Sequence, residues 1–159
     1  MTTRQDLIDG LNVVHREGMR VMSGFEADDW QKKVLDEGGT WSRKQAYGHL
    51  TALAEITPGM VGGLANAAAG ADAAAGLDID ALNAQLVAGK EQLSEAELLS
   101  AFDTGFTKLI EFVKAMPEEQ LSHGTKFGQL EGQVGDIMAG VLVLHGMAHI
   151  YGAGGSPLG

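Results

Sequence analysis

Two histidines on one apolar stretch constrain this chain more than any other feature. From Val134 to His149 the sequence reads VGDIMAGVLVLHGMAH, with apolar residues recurring at Val134, Ile137/Met138, Val141, Leu144 and Ala148. That three-four spacing predicts an amphipathic helix with one buried stripe. His145 and His149 are four residues apart, so on a helix they share a face, one turn from each other. His145 continues the spacing from Val141 and His149 follows Ala148, so the pair interrupts an apolar seam. Each buried imidazole nitrogen needs a partner there. One solution is a metal ion gripped by both rings, as on the HExxH helix of zinc proteases. Gly146 stands where that motif has its glutamate, so a zinc-protease reading fails at its general base. The other solution is a pair of core histidines, each satisfied by a hydrogen bond.

A third ligand would decide between them, and the rest of the chain must be able to bring one. At 159 residues the chain has the length of one domain, and residues 1–159 are read as a single one. It is 45% apolar and 20% charged, the balance of a globular protein. No run approaches the ~18 consecutive apolar residues of a membrane span. The N-terminus lacks a basic region followed by an apolar one, so no secretory signal is expected and a cytoplasmic address is the default. With no Cys, disulfides, thiolate metal sites and a Cys nucleophile are all excluded. The net charge of −10 repels phosphate backbones, so nucleic-acid binding is not expected.

Helical periodicity continues along the chain. Residues 4–22 carry Leu7, Leu11, Val14, Gly18, Val21 and Met22 on one stripe, with His15 beside it. A loop with a short helical turn near Asp28–Val34 follows, closing on the turn residues Glu37–Thr40 and Trp41. Ser42 is a candidate N-cap for a second helix through Ala46, His49, Leu50, Leu53 and Ile56, which Pro58 is expected to kink or divide. Residues 65–77 are Ala/Gly-rich and read as a helix tail fading into a mobile loop. Leu82, Leu86 and Val87 give a short apolar face. Ser94 and Glu97 form a capping box for a helix bearing Leu98, Phe102, Phe106, Leu109, Val113 and Met116, stopped by Pro117. Glu118–Glu131 reads as an irregular crossover with His123 as a solvated loop residue. The last helix is expected over Gln133–Tyr151, with a frayed tail over Gly152–Gly159. Several of the 23 Gly fall inside these helices, where each costs about 1 kcal/mol relative to Ala, so close packing or substrate approach must explain them.

Four main helices and no convincing strand pattern imply an all-α four-helix bundle. Bundles build metal sites from side chains on facing helices. His49, His145 and His149 all sit on or beside inward stripes, and together they could form a three-His site with an open position, the arrangement of a catalytic metal. Imidazole suits Zn, Ni, Cu or Fe. Asp136 lies nine residues before His145, roughly 13 Å along a helix, too far to serve the metal.

Two stretches resemble a known group. The segment from Trp41 to Leu50, WSRKQAYGHL, looks like the DinB-like superfamily motif, a Trp closing a loop and a His eight residues on. The HGMAH of residues 145–149 looks like that superfamily's HxxxH. The middle of the chain, Asn83–Lys90 followed by Ser94–Leu99, is similar to the mycothiol-dependent maleylpyruvate isomerase N-terminal domain, a branch of the group. The resemblance covers residues 4–151 and implies a DinB/YfiT-like four-helix bundle holding a divalent metal, Zn or Ni first, on His49, His145 and His149. It also implies thiol-dependent transferase or isomerase chemistry on a small-molecule substrate, with a low-molecular-weight thiol as a second cofactor, and a homodimer. The Arg expected to help bind substrate in the isomerase branch has no match here. Asn83 and Tyr151 are candidate polar helpers, and Trp41 is read as a structural plug beside the site. Three alternatives stay open: a metal-dependent hydrolase, a non-catalytic metal-binding or stress-response module, and a bundle with no metal. The surplus apolar residues Ile8, Leu99 and Ile110 on the first and third long helices are the sequence's own argument for pairing.

Overall fold

The computed structural model describes residues 2–34, 41–68 and 71–154. The expected turn at residues 37–40 and the tail beyond 154 lie outside them. Helix α1 (Arg4–Ser23) starts at Thr3, whose hydroxyl accepts from the Asp6 N–H while the Asp6 carboxylate accepts from the Thr3 N–H. This reciprocal cap satisfies two donors that the first helical turn leaves bare. The same box opens α2 (Arg43–Asn66) at Ser42 and Gln45, and α4 (Glu95–Ala115) at Ser94 and Glu97. A 3₁₀ turn (Ala27–Gln31) bridges α1 and α2, and α3 (Ile79–Ala88) is capped by Asp78. One turn of helix, α5 (Glu118–Leu121), follows Pro117. The final helix, α6, spans Val134–Gly152.

The four long helices are α1, α2, α4 and α6. Both α1 and α2 pack against both α4 and α6, so the order around the bundle is α1, α4, α2, α6. Leu7, Leu11 and Val14 of α1, Leu50 and Leu53 of α2, Phe102, Phe106 and Leu109 of α4, and Val134, Met138 and Ile150 of α6 meet in one core. Two Gly let α1 come close to its neighbours. A Cβ on Gly18 would overlap the Phe102 ring, and one on Gly10 would stand 2.8 Å from Val143. Close packing is therefore what these helical Gly supply.

Four expectations are corrected. Helix α2 is not divided at Pro58 but runs on to Asn66; a Pro removes one N–H and crowds one turn, and twelve buried α2 residues hold the rest. The crossover is not irregular: Gly124–Phe127 (β1) and Leu130–Gln133 (β2) form an antiparallel hairpin, turned by Gly128 at φ +61°, a conformation that suits Gly. The loop after α2 is tied to this hairpin, since Asp72 Oδ1 accepts from Gly128 N–H (2.9 Å) and the Ala73 N–H donates to the Lys126 carbonyl (2.8 Å). His123 is half-buried, its ring Nε2 2.9 Å from the Ala67 carbonyl at the end of α2.

The fourth long helix departs most from expectation. Leu144 is 72% exposed, and Ala148 is exposed as well, although both fall on the stripe read from the sequence. The reason is local winding. Residues Ala139–Leu144 are π-helical, and the His145 N–H donates to the Gly140 carbonyl five residues back. A π turn holds more residues than an α turn, so the buried face runs Met138, Leu142, Gly146 and Ile150. By length and composition alone α6 is apolar enough to cross a membrane; in the fold it packs on α1 and α2.

Candidate metal centre

Three elements bring the three histidines to one point. The Ser42 cap fixes where α2 begins, which places His49 nearly two turns in, among Ala46, Leu50 and Leu53 on the buried face. The π turn ends at His145, and the α-helical turns that follow it (His145–Gly152) set His149 one turn further on. His49 and His149 are each 2% exposed, and His145 is half-buried. His145 Nε2 lies 3.2 Å from His49 Nε2 and 2.9 Å from His149 Nε2. One nitrogen from each ring falls within 4.8 Å of the others.

The donor set fits a metal ion. A ring nitrogen carries either one proton or one lone pair, so His145 Nε2 can complete a hydrogen bond to only one of its two neighbours. A cation at the meeting point would accept all three lone pairs. Nitrogens on one tetrahedral zinc, each at about 2.0–2.1 Å, stand roughly 3.3 Å apart, close to the two measured separations. Burial pushes the His49 pKa down to about 3, with His149 and His145 adding to the effect. The ring is therefore neutral at pH 7, the form that ligates.

Trp41 closes one side. Its ring stacks on His149 (centroids 5.8 Å apart, 22° between planes) and tilts against His49 (5.1 Å). The Val34 N–H donates to the Trp41 carbonyl (3.0 Å) and the Arg43 N–H to the Lys32 carbonyl (2.9 Å), fixing the indole's backbone. His49 Nδ1 is buried without a hydrogen bond, so packing against Trp41 orients that ring.

On the other side the histidines face a cleft of about 290 Å³ between α2, α3, the hairpin and α6. His49 and His145 line it, and Asn83 is the only side-chain amide among its described lining residues. Tyr151 does not line it. A second hollow, about 380 Å³ and bordered by Lys33, Lys44, Lys90 and Glu91, lies away from the histidines. His15 is also elsewhere: its Nε2 is 2.7 Å from Asp103 Oδ1 and its ring stacks on Phe106. Asp136 ties down the N-terminus through the Thr2 N–H (2.7 Å) and hydroxyl (2.8 Å). Among the described residues no Asp or Glu lines the cleft.

The mycothiol maleylpyruvate isomerase N-terminal domain family matches residues 11–147. The chain belongs to that family. Two solved structures share its fold: mycothiol-dependent maleylpyruvate isomerase (16% identity, TM-score 0.72) and a histidine-to-alanine mutant of it (15%, TM-score 0.73). Each covers 98% of this chain, whereas the chain spans 64% and 65% of theirs. No curated protein matches the sequence. The DinB-like bundle expected from the sequence is the fold found.

The hairpin's share in this family member's cleft went unread in the sequence. Phe127 and Leu130 reach it from strands of four residues each, too short for a clear alternation. The one available sign was the pair Gly128-Gln129 between the apolar Phe127 and Leu130, with Gly as a turn residue. Gly140 also borders the cleft, inside the π turn, and a Cβ there would meet nothing within 4 Å.

Proposed function

We propose that this family member holds a divalent metal ion on His49, His145 and His149 and acts on a small-molecule electrophile with a low-molecular-weight thiol, as a thiol-dependent isomerase or transferase. The observation that carries the reading is the convergence of three imidazole nitrogens, with the rings of His49 and His145 lining a cleft. A metal in that position supplies the means to keep a coordinated thiol deprotonated at neutral pH. The chain contributes the rest. Trp41 shields His49 and His149 from one side, the apolar walls exclude water, and Asn83 is placed to hydrogen-bond a polar group of the substrate. With no Cys in the chain, the thiol must arrive as a separate molecule, and the family points to mycothiol as the first to try. Water in the thiol's place would make a hydrolase, but among the described residues no carboxylate lines the cleft to serve as its general base.

The test is thiol-dependent loss of electrophile, by isomerisation or by adduct formation, with tag-free protein loaded with zinc or nickel and given mycothiol, bacillithiol or glutathione and a panel of electrophiles. Turnover above the chelated control is the expected result. Rates equal to that control with every thiol would refute the reading. We also place the chain in the cytoplasm as a single-domain homodimer, although Ile110 is buried and Ile8 and Leu99 pack on the core rather than offering an apolar face. A single monomeric mass by light scattering would reject the dimer.

A further inference from the structure

The walls of the cleft say more about its occupant than its histidines do. Leu53, Ile56 and Met60 line it from α2, Ile79, Leu82 and Leu86 from α3, with Phe127 and Leu130 across from them. Among the described residues no Lys, Arg, Asp or Glu lines it. Its volume of about 290 Å³ equals about ten water molecules at roughly 30 Å³ each. A phenyl ring with a short linker, or a hexyl chain, fills that space. The mouth is apolar too: Ile79 is 39% and Leu130 43% exposed. Exposed large apolar side chains grouped at a concave site mark a binding surface.

We propose that the cleft binds the apolar part of an uncharged aryl or alkyl electrophile and discriminates against dicarboxylates. This rests on the thiol-transfer reading for the chemistry, but the selectivity is a property of the walls. In the metal-free protein a dianion entering the cleft would lose its water and meet no cationic side chain among the described lining residues, which is costly. Lys33, Lys44 and Lys90 border the other hollow, and Lys90 is paired with Glu55 at 2.6 Å. An apolar group meets no such penalty and displaces water from the apolar side chains of the walls. The carbon to be attacked would then lie at the His end, with the apolar group reaching toward Ile79 and Leu130.

The experiment uses benzyl alcohol, 3-phenylpropan-1-ol and 5-phenylpentan-1-ol against phthalate, the same ring carrying two carboxylates. Binding is followed by Ile and Met methyl resonances, on zinc-loaded and on chelated full-length protein. The expected result is affinity rising up to about fourfold per added methylene, with shifts at Ile56, Met60 and Ile79, and no shifts with phthalate on the chelated protein. Leu82→Asp, and Leu130→Asp on the exposed hairpin, should each weaken the longest alcohol at least tenfold. Phthalate binding the chelated protein as tightly as the alcohols would overturn the proposal. So would affinity that both variants leave unchanged, or alcohol binding that disappears as the protein is concentrated, which would make the mouth a contact between copies. The chelated arm separates the two readings. Alcohol binding without any thiol-dependent turnover sinks the enzyme and keeps the cleft; thiol-dependent turnover confined to dicarboxylate electrophiles does the reverse.

Discussion

Replacing His49 with Ala should abolish metal-dependent stabilisation while costing the metal-free protein little. Two opposing terms act in the metal-free protein. Truncating a large buried side chain costs about 2–5 kcal/mol when a cavity remains. Against this, His49 brings a buried Nδ1 with no hydrogen bond and an Nε2 3.2 Å from His145, and an unsatisfied buried polar group costs about 1–3 kcal/mol. The net loss should be about 0–3 kcal/mol. The metal-loaded protein has more to lose. Free zinc at 1,000 times its dissociation constant adds about 4.1 kcal/mol to folding. For a domain of this size about 2–4 °C accompanies each kcal/mol, so the wild-type melting temperature should rise by about 8–16 °C over chelated protein. Tag-free samples melted with zinc and with chelator give the difference directly. The shift should vanish in His49→Ala, His145→Ala and His149→Ala, and persist in His15→Ala and His123→Ala. A full shift in His49→Ala would refute the three-ligand site. His15 could not then stand in as the missing ligand, because it is held by Asp103 and Phe106 on the far side of the bundle.

The histidine cluster should also make the metal-free protein acid-sensitive. The His49 pKa falls from the ordinary 6.5 to about 3 on folding, so between those values the unfolded chain binds a proton that the folded chain refuses. Stability from this group is then complete above pH 6.5 and falls by about 1.4 kcal/mol per pH unit below it, flattening near pH 3; chelated-protein urea titrations showing no such loss between pH 6.5 and 5 would contradict the burial argument. Gly18→Ala should destabilise by about 1–3 kcal/mol, because its Cβ would overlap the Phe102 ring; an unchanged urea midpoint would show that α1 and α4 can separate freely. Leu144→Lys should alter stability by less than about 0.5 kcal/mol, since Leu144 is 72% exposed; a loss of several kcal/mol would mean that α6 is regular α-helix with Leu144 in the core.

Much of the bundle was legible because its signals are local. The N-cap at Ser42, the capping box at Ser94, the clean stripe of Leu98 to Val113, and the stop at Pro117 each act within a few residues, and each stands where the sequence placed it. The three histidines were legible for a related reason: the four-residue spacing of His145 and His149 is a property of one helix, and His49 lay on a stripe of another. What the sequence concealed depends on contacts between distant segments. Asp72 reads as a loop residue, yet it joins the end of α2 to a hairpin over fifty residues later. The hairpin shows no pattern of its own because each strand has four residues and one face is only partly covered. His123 reads as solvated because nothing local announces the Ala67 carbonyl.

The π turn concerns the site itself. A regular α-helix carries a residue about 100° round the axis, so an extra residue in one turn rotates everything beyond it relative to everything before. In α6 the part before the turn is held by Val134, Ile137 and Met138 in the core, and the part after it by Ile150 and Ala153. The irregularity lies between these two fixed ends, at Ala139–Leu144. It borders the cleft at Gly140 and Val141, and it hands over to α-helix at His145 itself. The π turn thus sets the angle at which His145 leaves the helix axis while the apolar residues on either side stay buried. It exposes Leu144, a cost that the core does not require. Single π turns inside α-helices recur at functional sites, and here the residue whose direction it governs is the one that links His49 to His149.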